Sequence, residues 1–546
     1  MMAVEAGLGR ALRALGLGGL GFGGQGFRNP PVALTVVPPN PWPGDAARGR
    51  AMLGNAITQA NETVAAEGSP WDADASLAWQ CQMHGFEWLR DLRAVGGDSA
   101  RRHARQLTSE WLDRYARGGE RAWRADVMGA RIANWIGFHD FFCASADDSF
   151  RTRLFSSLGR QSRMLARTLP GEFTGSPLLL AIKGLLASGG CVEGGEARLA
   201  QAEKLLLKEI SRQILPDGCH AERSPAVHAA VLGAFIDIRA IYKAARLPMP
   251  DALQHAIDRM APALRFFRHG DGGLALFNGG QEGETLLIDT ILTQADARGR
   301  PLKRAAQAGF DRLTGGRTIV VADTGNPPPP ALDAHAHAGI GSFEMSVGRH
   351  RFIVNCGGHA GAGRWQSVLS ATAAHSTLAV ADTNQMELLP KGGVRRRPQA
   401  VESRRDDAPE GSLVEISHDG YAGMGLVHRR RLFLSEAGDD FRGEDILAGT
   451  QSHPFAIRFH LHPEVQVSLT QNARGALLRL GDGVGWRFRT DGETVALEDS
   501  IYFGSGASPR RSSVLVVSGH SAPGEVSVRW AFHREKRAPI PEPNDS

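Results

Sequence analysis

Midway along the chain, Asp217-Gly218-Cys219-His220-Ala221-Glu222-Arg223 runs into Ser224-Pro225-Ala226-Val227-His228. The first stretch reads as a loop. Pro225 opens a helix, because its fixed φ suits a first helical turn. His228 then stands on that first turn, where an imidazole can face a groove or be an ordinary satisfied histidine. Arg223 offers a planar fork that matches a carboxylate or sulfate. Loops at the rim of a helical scaffold gather binding groups, so His220, Glu222 and Arg223 are candidate substrate contacts. The competing reading of all three is a solvated charged loop.

Further on, His460 and His462 alternate with Phe459 and Leu461 and therefore share one face of a strand. Two imidazoles on one face can ligate a metal; otherwise they are buried and bonded to backbone. Tyr421, one of only four tyrosines, follows His418-Asp419-Gly420 and would serve as acid or base if it reached a cleft, or pack if it did not. Trp365, in a glycine-rich loop, offers a face on which a sugar can stack. Asn134-Trp135 and His139-Asp140 belong to a Phe-rich helix and read as core. His335-Ala336-His337 has a metal-like spacing but sits at a linker, and is set aside. The loop 271–283 is glycine-rich, yet no strand precedes it and no Lys-Ser/Thr follows, so it is neither a phosphate loop nor a dinucleotide fingerprint. Its Asn278 and Glu282 could reach a groove, though a plain loop role is the stronger reading.

These residues must be carried by two unlike halves. From about 48 to 316 apolar residues recur at three- and four-residue spacing, as in 77–95, 129–146, 176–190, 198–215 and 224–245. Long amphipathic helices in series predict stacked hairpins, a bundle or a toroid. Residues 325–330 (GNPPPP) read as a linker. Beyond it the period falls to two, in short runs such as 342–348, 351–357, 413–420, 429–436, 455–463 and 513–520. Such runs predict a large antiparallel β-sandwich. The organisation expected is α + β multidomain: a leader over 1–47, a helical domain over 48–320, a β domain over 331–535, and a disordered tail over 536–546.

Composition sets the outer limits. The chain has 546 residues, enough for two or three domains, with 42% hydrophobic and 22% charged residues. A net charge of +4 over that length argues against a nucleic-acid binder. Five scattered cysteines with no CxxC pair give no disulfide framework. No run approaches about 18 apolar residues, so no membrane span is expected. The glycines of the leader break any signal-peptide core.

Several motifs in both halves occur together and in order: RQILPDGCHAERSPAVH (212–228), TAAHSTLAVADTNQ (372–385), SHDGY (417–421), VHRRRLFL (427–434) and IRFHLHP (457–463). They resemble the heparinase II/III-like family of polysaccharide lyases over about 44–531. The resemblance implies an N-terminal (α/α) toroid followed by a C-terminal antiparallel β-sandwich. It also implies cleavage of an acidic, uronate-containing glycan by β-elimination. That reaction needs a neutralised carboxylate, a base at C5 and an acid at the leaving oxygen. On this reading His228, His375 and Tyr421 carry proton transfer, and His220, Glu222, Arg223 and Trp365 hold an acidic polysaccharide or oligosaccharide. No cofactor is needed for catalysis. A structural zinc is implied in the β domain, with His375 and His428 as matching ligands and Asp382 or Glu402 as the acid. The family also implies a cell-envelope or periplasmic setting.

The match departs from the family at named positions. Where the family has an Asn-His pair, this chain reads Thr174-Gly175-Ser176-Pro177. Val227 stands at the place of the catalytic Tyr, and Ala373 at that of a His. Two functions follow from the sequence: a lyase whose chemistry has moved to other residues, or a non-catalytic glycan-binding or envelope-associated protein on the same scaffold.

Overall fold

The computed structural model describes residues 33–359, 364–390, 392–470, 474–492, 494–506 and 508–535. The expected tail and most of the expected leader lie outside these. The first half is helical from Ala46–Leu53 to Thr285–Ala295, interrupted by a small hairpin of Ala56–Gln59 and Glu62–Ala65. Polar side chains begin several helices. Asp45 accepts from the amides of Ala47 and Arg48, and Asp147 from that of Phe150. Such caps satisfy orphan first-turn donors. The Phe-rich stripe is core, as its pattern predicts: Trp135, Phe138 and Phe142 are buried with Trp79, Trp88 and Trp111. Arg131, also fully buried, lies 4.3 Å over the Trp111 ring and bonds Gln161, the His84 carbonyl and the Ala122 carbonyl.

Two helices of this half touch backbone to backbone. A Cβ added at Gly184 would stand 2.3 Å from the Gly129 Cα, so Ala125–Gly137 and Gly175–Gly190 approach through paired glycines. The segment ahead of the first helix packs on the same group of helices. Trp42 Nε1 donates to Asp237, and Arg93 donates to Asn40 Oδ1 and the Trp42 carbonyl.

The second half is two antiparallel sheets. The eight-stranded sheet runs in the order Val401–Ala408, Gly411–His418, Leu426–Ser435, Asp440–Gly449, Gly524–Arg534, Gly485–Thr490, Gly475–Arg479, Gln466–Leu469. The nine-stranded sheet runs Thr494–Tyr502, Arg510–His520, Pro454–Leu461, His350–Val354, Phe343–Val347, Thr318–Asp323, Phe310–Gly315, Arg304–Ala305, with Leu378–Val380 paired to Pro454–Leu461. Phe343, Phe352 and Phe459 of the larger sheet meet Phe441, Trp486 and Trp530 of the smaller in one apolar core.

This corrects the expected boundary. The strands of the two large sheets begin at Arg304, not after 330, and Thr318–Asp323 pairs with Phe343–Val347 across the proline run. Residues 325–330 are thus a connection within one sheet. The proline run marks a break in regular structure, and a break between two strands of one sheet leaves the same signature as one between domains. One helix, Pro225–Ala245, is long and apolar enough to cross a membrane by length and composition, but most of it is buried in the helical core.

Gly184→Ala forces a methyl into the Gly129 backbone and is expected to destabilise by about 1–3 kcal/mol, the cost of overpacking a close contact. Urea denaturation checks this, as a lower midpoint at unchanged m-value.

Candidate functional site: a cleft between the two halves

A cleft of about 660 Å³ opens where the halves meet. The helical half contributes Cys81, Arg124 and Asp126 and the helix start at Ser224, Ala226 and Val227. The other wall comes from the 334–337 segment, His359, Gln366 and the Leu388–Pro390 turn. Arg124 and Asp126 pair through two bonds of 3.1 and 2.9 Å, so their charges compensate within the wall.

His337 is the cleft residue whose chemistry the surrounding bonds define most closely. His375 Nδ1 lies 2.8 Å from the Ala371 carbonyl, which can only accept, so Nδ1 carries the proton. The remaining nitrogen of a neutral His375, Nε2, is then an acceptor, and it lies 3.1 Å from His337 Nδ1. His337 Nδ1 donates to it, which leaves His337 Nε2 as a lone pair on the cleft side. Burial holds the His375 pKa down to about 4, with the Ala371 bond opposing. Burial, then His375 and His335, hold His337 well below its ordinary value. Asn278 fixes the His337 backbone: its Oδ1 accepts from the His337 amide at 3.0 Å, while its Nδ2 donates to the Arg223 carbonyl at 3.0 Å.

The structure sends most of the sequence candidates elsewhere. His228 is a correction: it is buried, accepts from the His220 amide at 3.2 Å and donates from Nε2 to the Met260 carbonyl at 2.9 Å. Neither nitrogen is left for a substrate. His220 is corrected likewise, since it donates to Gln213 Oε1 and accepts from the Glu222 amide. Glu222, 3% exposed, accepts from the Ser176 amide at 2.7 Å and so caps helix Gly175–Gly190. Arg223 is no solvated fork. It pairs with buried Asp323, donates to the Ala308 and Gly309 carbonyls and lies over Phe310. Its φ of 56° lies in the left-handed region.

Tyr421 is corrected from acid or base to core: its hydroxyl donates to the Leu378 carbonyl at 3.1 Å, and burial raises its pKa. Trp365 packs on Phe503 with ring centroids 5.0 Å apart, next to the cleft rather than among the residues lining it. His375 reaches the cleft only through His337. His460 bonds Ser500 and the Ala373 carbonyl, while His462 packs edge-on against Tyr502.

The zinc implied by resemblance does not fit the residues proposed for it. His375 has both nitrogens engaged by Ala371 and His337. His428 has both engaged by His418 (3.0 Å) and Asp445 (2.8 Å), where Arg430 already supplies the countercharge. Among the described residues no group of three or more His, Cys, Asp or Glu stands where it could hold a metal. Asp382 is exposed and pairs with Arg458.

Sequence reasoning missed His337. Its signal was the His335-Ala336-His337 spacing, set aside because the segment read as an interdomain linker. The segment is instead packed between the halves and forms a wall of the cleft.

Two antiparallel sheets and a helical half, meeting at a cleft, make a two-part architecture. Residues 61–295 match the heparinase II/III N-terminal family and residues 297–531 the heparinase II/III-like C-terminal family. The chain belongs to the heparinase II/III-like family. It is 32% identical over 527 residues to FtsZ-localized protein C of Caulobacter vibrioides, covering 92% of this chain and 90% of that one. Its fold resembles that of heparinase III (TM-score 0.74, 16% identity, covering 90% of this chain and 84% of that one). It also resembles the heparan sulfate lyase HepC of Pedobacter heparinus (TM-score 0.60, 16% identity, covering 91% and 83%).

Two predictions follow from the buried groups. Arg223→Ala leaves Asp323 charged and unpaired in the interior and is expected to cost about 3–5 kcal/mol, seen as a lower melting temperature. Burial holds His220 at about 3 and His228 at about 4, below the 6.5 of a free imidazole. Between those values the unfolded chain binds protons that the folded chain does not, so stability falls as pH drops from about 6.5 to about 4. Urea midpoints measured across that window should decline, and His228→Gln should make the decline shallower.

Proposed function

We propose that this protein is a non-catalytic member of its family. Its helical half acts as the (α/α) toroid and its two sheets as the β-sandwich of a glycan-binding scaffold, working at the envelope where FtsZ assembles. One observation carries the reading: Val227 lines the cleft at the position that the resemblance gives to the catalytic Tyr, and none of the four tyrosines lines that cleft. A hydrocarbon side chain can neither take the C5 proton nor protonate the leaving oxygen. The carboxylate-neutralising positions point the same way. The Ser176 amide is engaged by Glu222, and Arg223 by Asp323. The FtsZ-localized relative, similar along nearly the whole chain, supports the setting. Binding of this kind needs no cofactor.

The lyase reading keeps one supporting observation, the acceptor nitrogen of His337 on the cleft side. It lacks a phenol beside that nitrogen to complete proton transfer.

The test is ultraviolet absorbance on a panel of acidic glycans, since elimination creates an unsaturated uronate that absorbs. Flat traces are expected, at protein levels that bind glycan on an array. A rise that Val227→Ala leaves intact and His337→Gln abolishes would overturn the proposal in favour of relocated catalysis. A fluorescent fusion is expected to coincide with FtsZ, and a diffuse signal would remove the setting from the proposal.

A further inference from the structure

A second cavity, of about 360 Å³, opens on the helical half, and no residue that lines it also lines the cleft. The turn Pro70–Asp72, the helix Leu77–Gly85, Tyr115 and the 119–122 loop wall it. Its volume falls at the small end of ordinary ligand sites.

The charge behind this wall is unmatched. Arg131 is fully buried and donates to the carbonyls of His84 and Ala122, both lining the cavity, at 2.8 Å each, and to Gln161 Oε1 at 2.7 Å. All three acceptors are neutral, and among the described residues no carboxylate pairs with this guanidinium. The Trp111 face, 4.3 Å away, offsets only part of the charge. Buried charges are ordinarily paired, because an isolated one is costly to desolvate. Arg121, exposed on the rim, likewise donates to a neutral group, the Gln80 side-chain oxygen.

The hydrogen bonds leave a donor over as well. The Trp111 indole can only donate, so His84 Nδ1, 3.1 Å away, accepts. Burial, with Arg131 and Arg121 nearby, holds the His84 pKa down to about 4, so the ring is neutral and its proton is on Nε2. His84 is 7% exposed, and its Nε2 has no partner among the described residues. The Trp71 indole, stacked on His84 with ring centroids 5.4 Å apart, is a second buried N–H without a partner. Two carboxylates belong to the lining. Asp72 is paired with Arg114 at 2.7 Å, and Glu120 is exposed, where water and salt screen it. The wall therefore holds more donors than acceptors and more positive than negative charge. Pro70, Trp71, Met83 and Tyr115 supply the rest of it as apolar and aromatic surface.

We propose that this cavity is a site for a small organic anion, a carboxylate carried on a single ring, with His84 Nε2 and Arg121 as its contacts and Arg131 as the buried charge that it compensates. Sugar uronates and aromatic acids share this chemistry. An inorganic anion lacks the body that would cover the aromatic wall. The inference stands independently of the glycan-binding reading, because the two cavities have no lining residue in common.

Calorimetry on the full chain tests it, comparing glucuronate and benzoate with glucose and inorganic phosphate. A ring carboxylate is expected to bind, less tightly as salt rises, and glucose and phosphate are not. Tighter glucuronate assigns the site to a sugar acid, and tighter benzoate to an aromatic one. Arg121→Gln, at an exposed position, should weaken the carboxylate about tenfold, the worth of one charge-assisted hydrogen bond. His84→Phe should weaken it by a similar factor. His84→Gln, whose amide keeps an acceptor for Trp111 and a donor for the ligand, should recover most of that loss. In the ¹⁵N-histidine-labelled protein the His84 Nε2–H signal, assigned by its loss in His84→Gln, should shift on binding, which a merely structural ring would not do. Glucose binding as tightly as glucuronate overturns the anion, and phosphate binding as tightly as either carboxylate overturns the ring. Absence of carboxylate binding overturns the site. Binding that Arg121→Gln leaves unchanged, with the His84 signal unmoved, overturns the assignment to this cavity, even if His84→Phe fails to fold. Each of these outcomes is separate from glycan binding at the cleft, which the array reads.

Discussion

The buried pair of Arg223 and Asp323 is the contact on which the geometry of the site depends. Arg223 belongs to a loop of the helical half, and Asp323 ends a strand of the nine-stranded sheet. Their side chains are both 5% exposed, so the attraction acts in a poorly screened setting and neither charge can be left alone. The same guanidinium engages the Ala308 and Gly309 carbonyls and lies 4.5 Å over Phe310. The Arg223 carbonyl then accepts from Asn278, and Asn278 holds the His337 amide. One ion pair therefore sets the register between the halves and, two bonds later, the place of the cleft imidazole.

Histidine is used here chiefly as a neutral, direction-giving connector. His220 and His228 tie the loop before Pro225 to Gln213 and to the Met260 carbonyl. His418 donates to His428, His428 to Asp445, and Asp445 also receives Arg430 and Trp530. Each ring donates from one nitrogen and accepts at the other, so its tautomer is determined by its neighbours and its charged form is disfavoured by burial. These four histidines therefore serve the scaffold in this chain. His337 differs from these four in bonding through one ring nitrogen alone among the described residues.

Much of the architecture was legible from pattern alone. Period-3.6 runs such as 176–190 and 224–245 became helices, and period-2 runs such as 429–436 and 455–463 became strands. The Phe-rich stripe around Trp135 was correctly read as core, because a helix that carries so much aromatic surface must bury it. The start of the sheets was not legible. Thr318–Asp323 lies before the prolines and has the same apolar content as a short buried helix, and only its pairing with Phe343–Val347 identifies it. The site was read less well than the fold. Arg223 and Glu222 looked like surface charges because charge favours solvent, and nothing local announced Asp323, a hundred residues away, or the Ser176 amide.

By itself the sequence determined the two-part architecture, the family, and the absence of the Tyr and Asn-His at their expected positions, since periodicity and residue identity are local properties of the chain. Tertiary structure decided which polar groups are already satisfied and which remain for a ligand. That division is a matter of partners brought together over long separations, as with His337 and His375, 38 residues apart, or Arg223 and Asp323, 100 apart. A side chain's chemistry is written in its type, but whether its donor or acceptor is still open depends on what the folded chain places beside it.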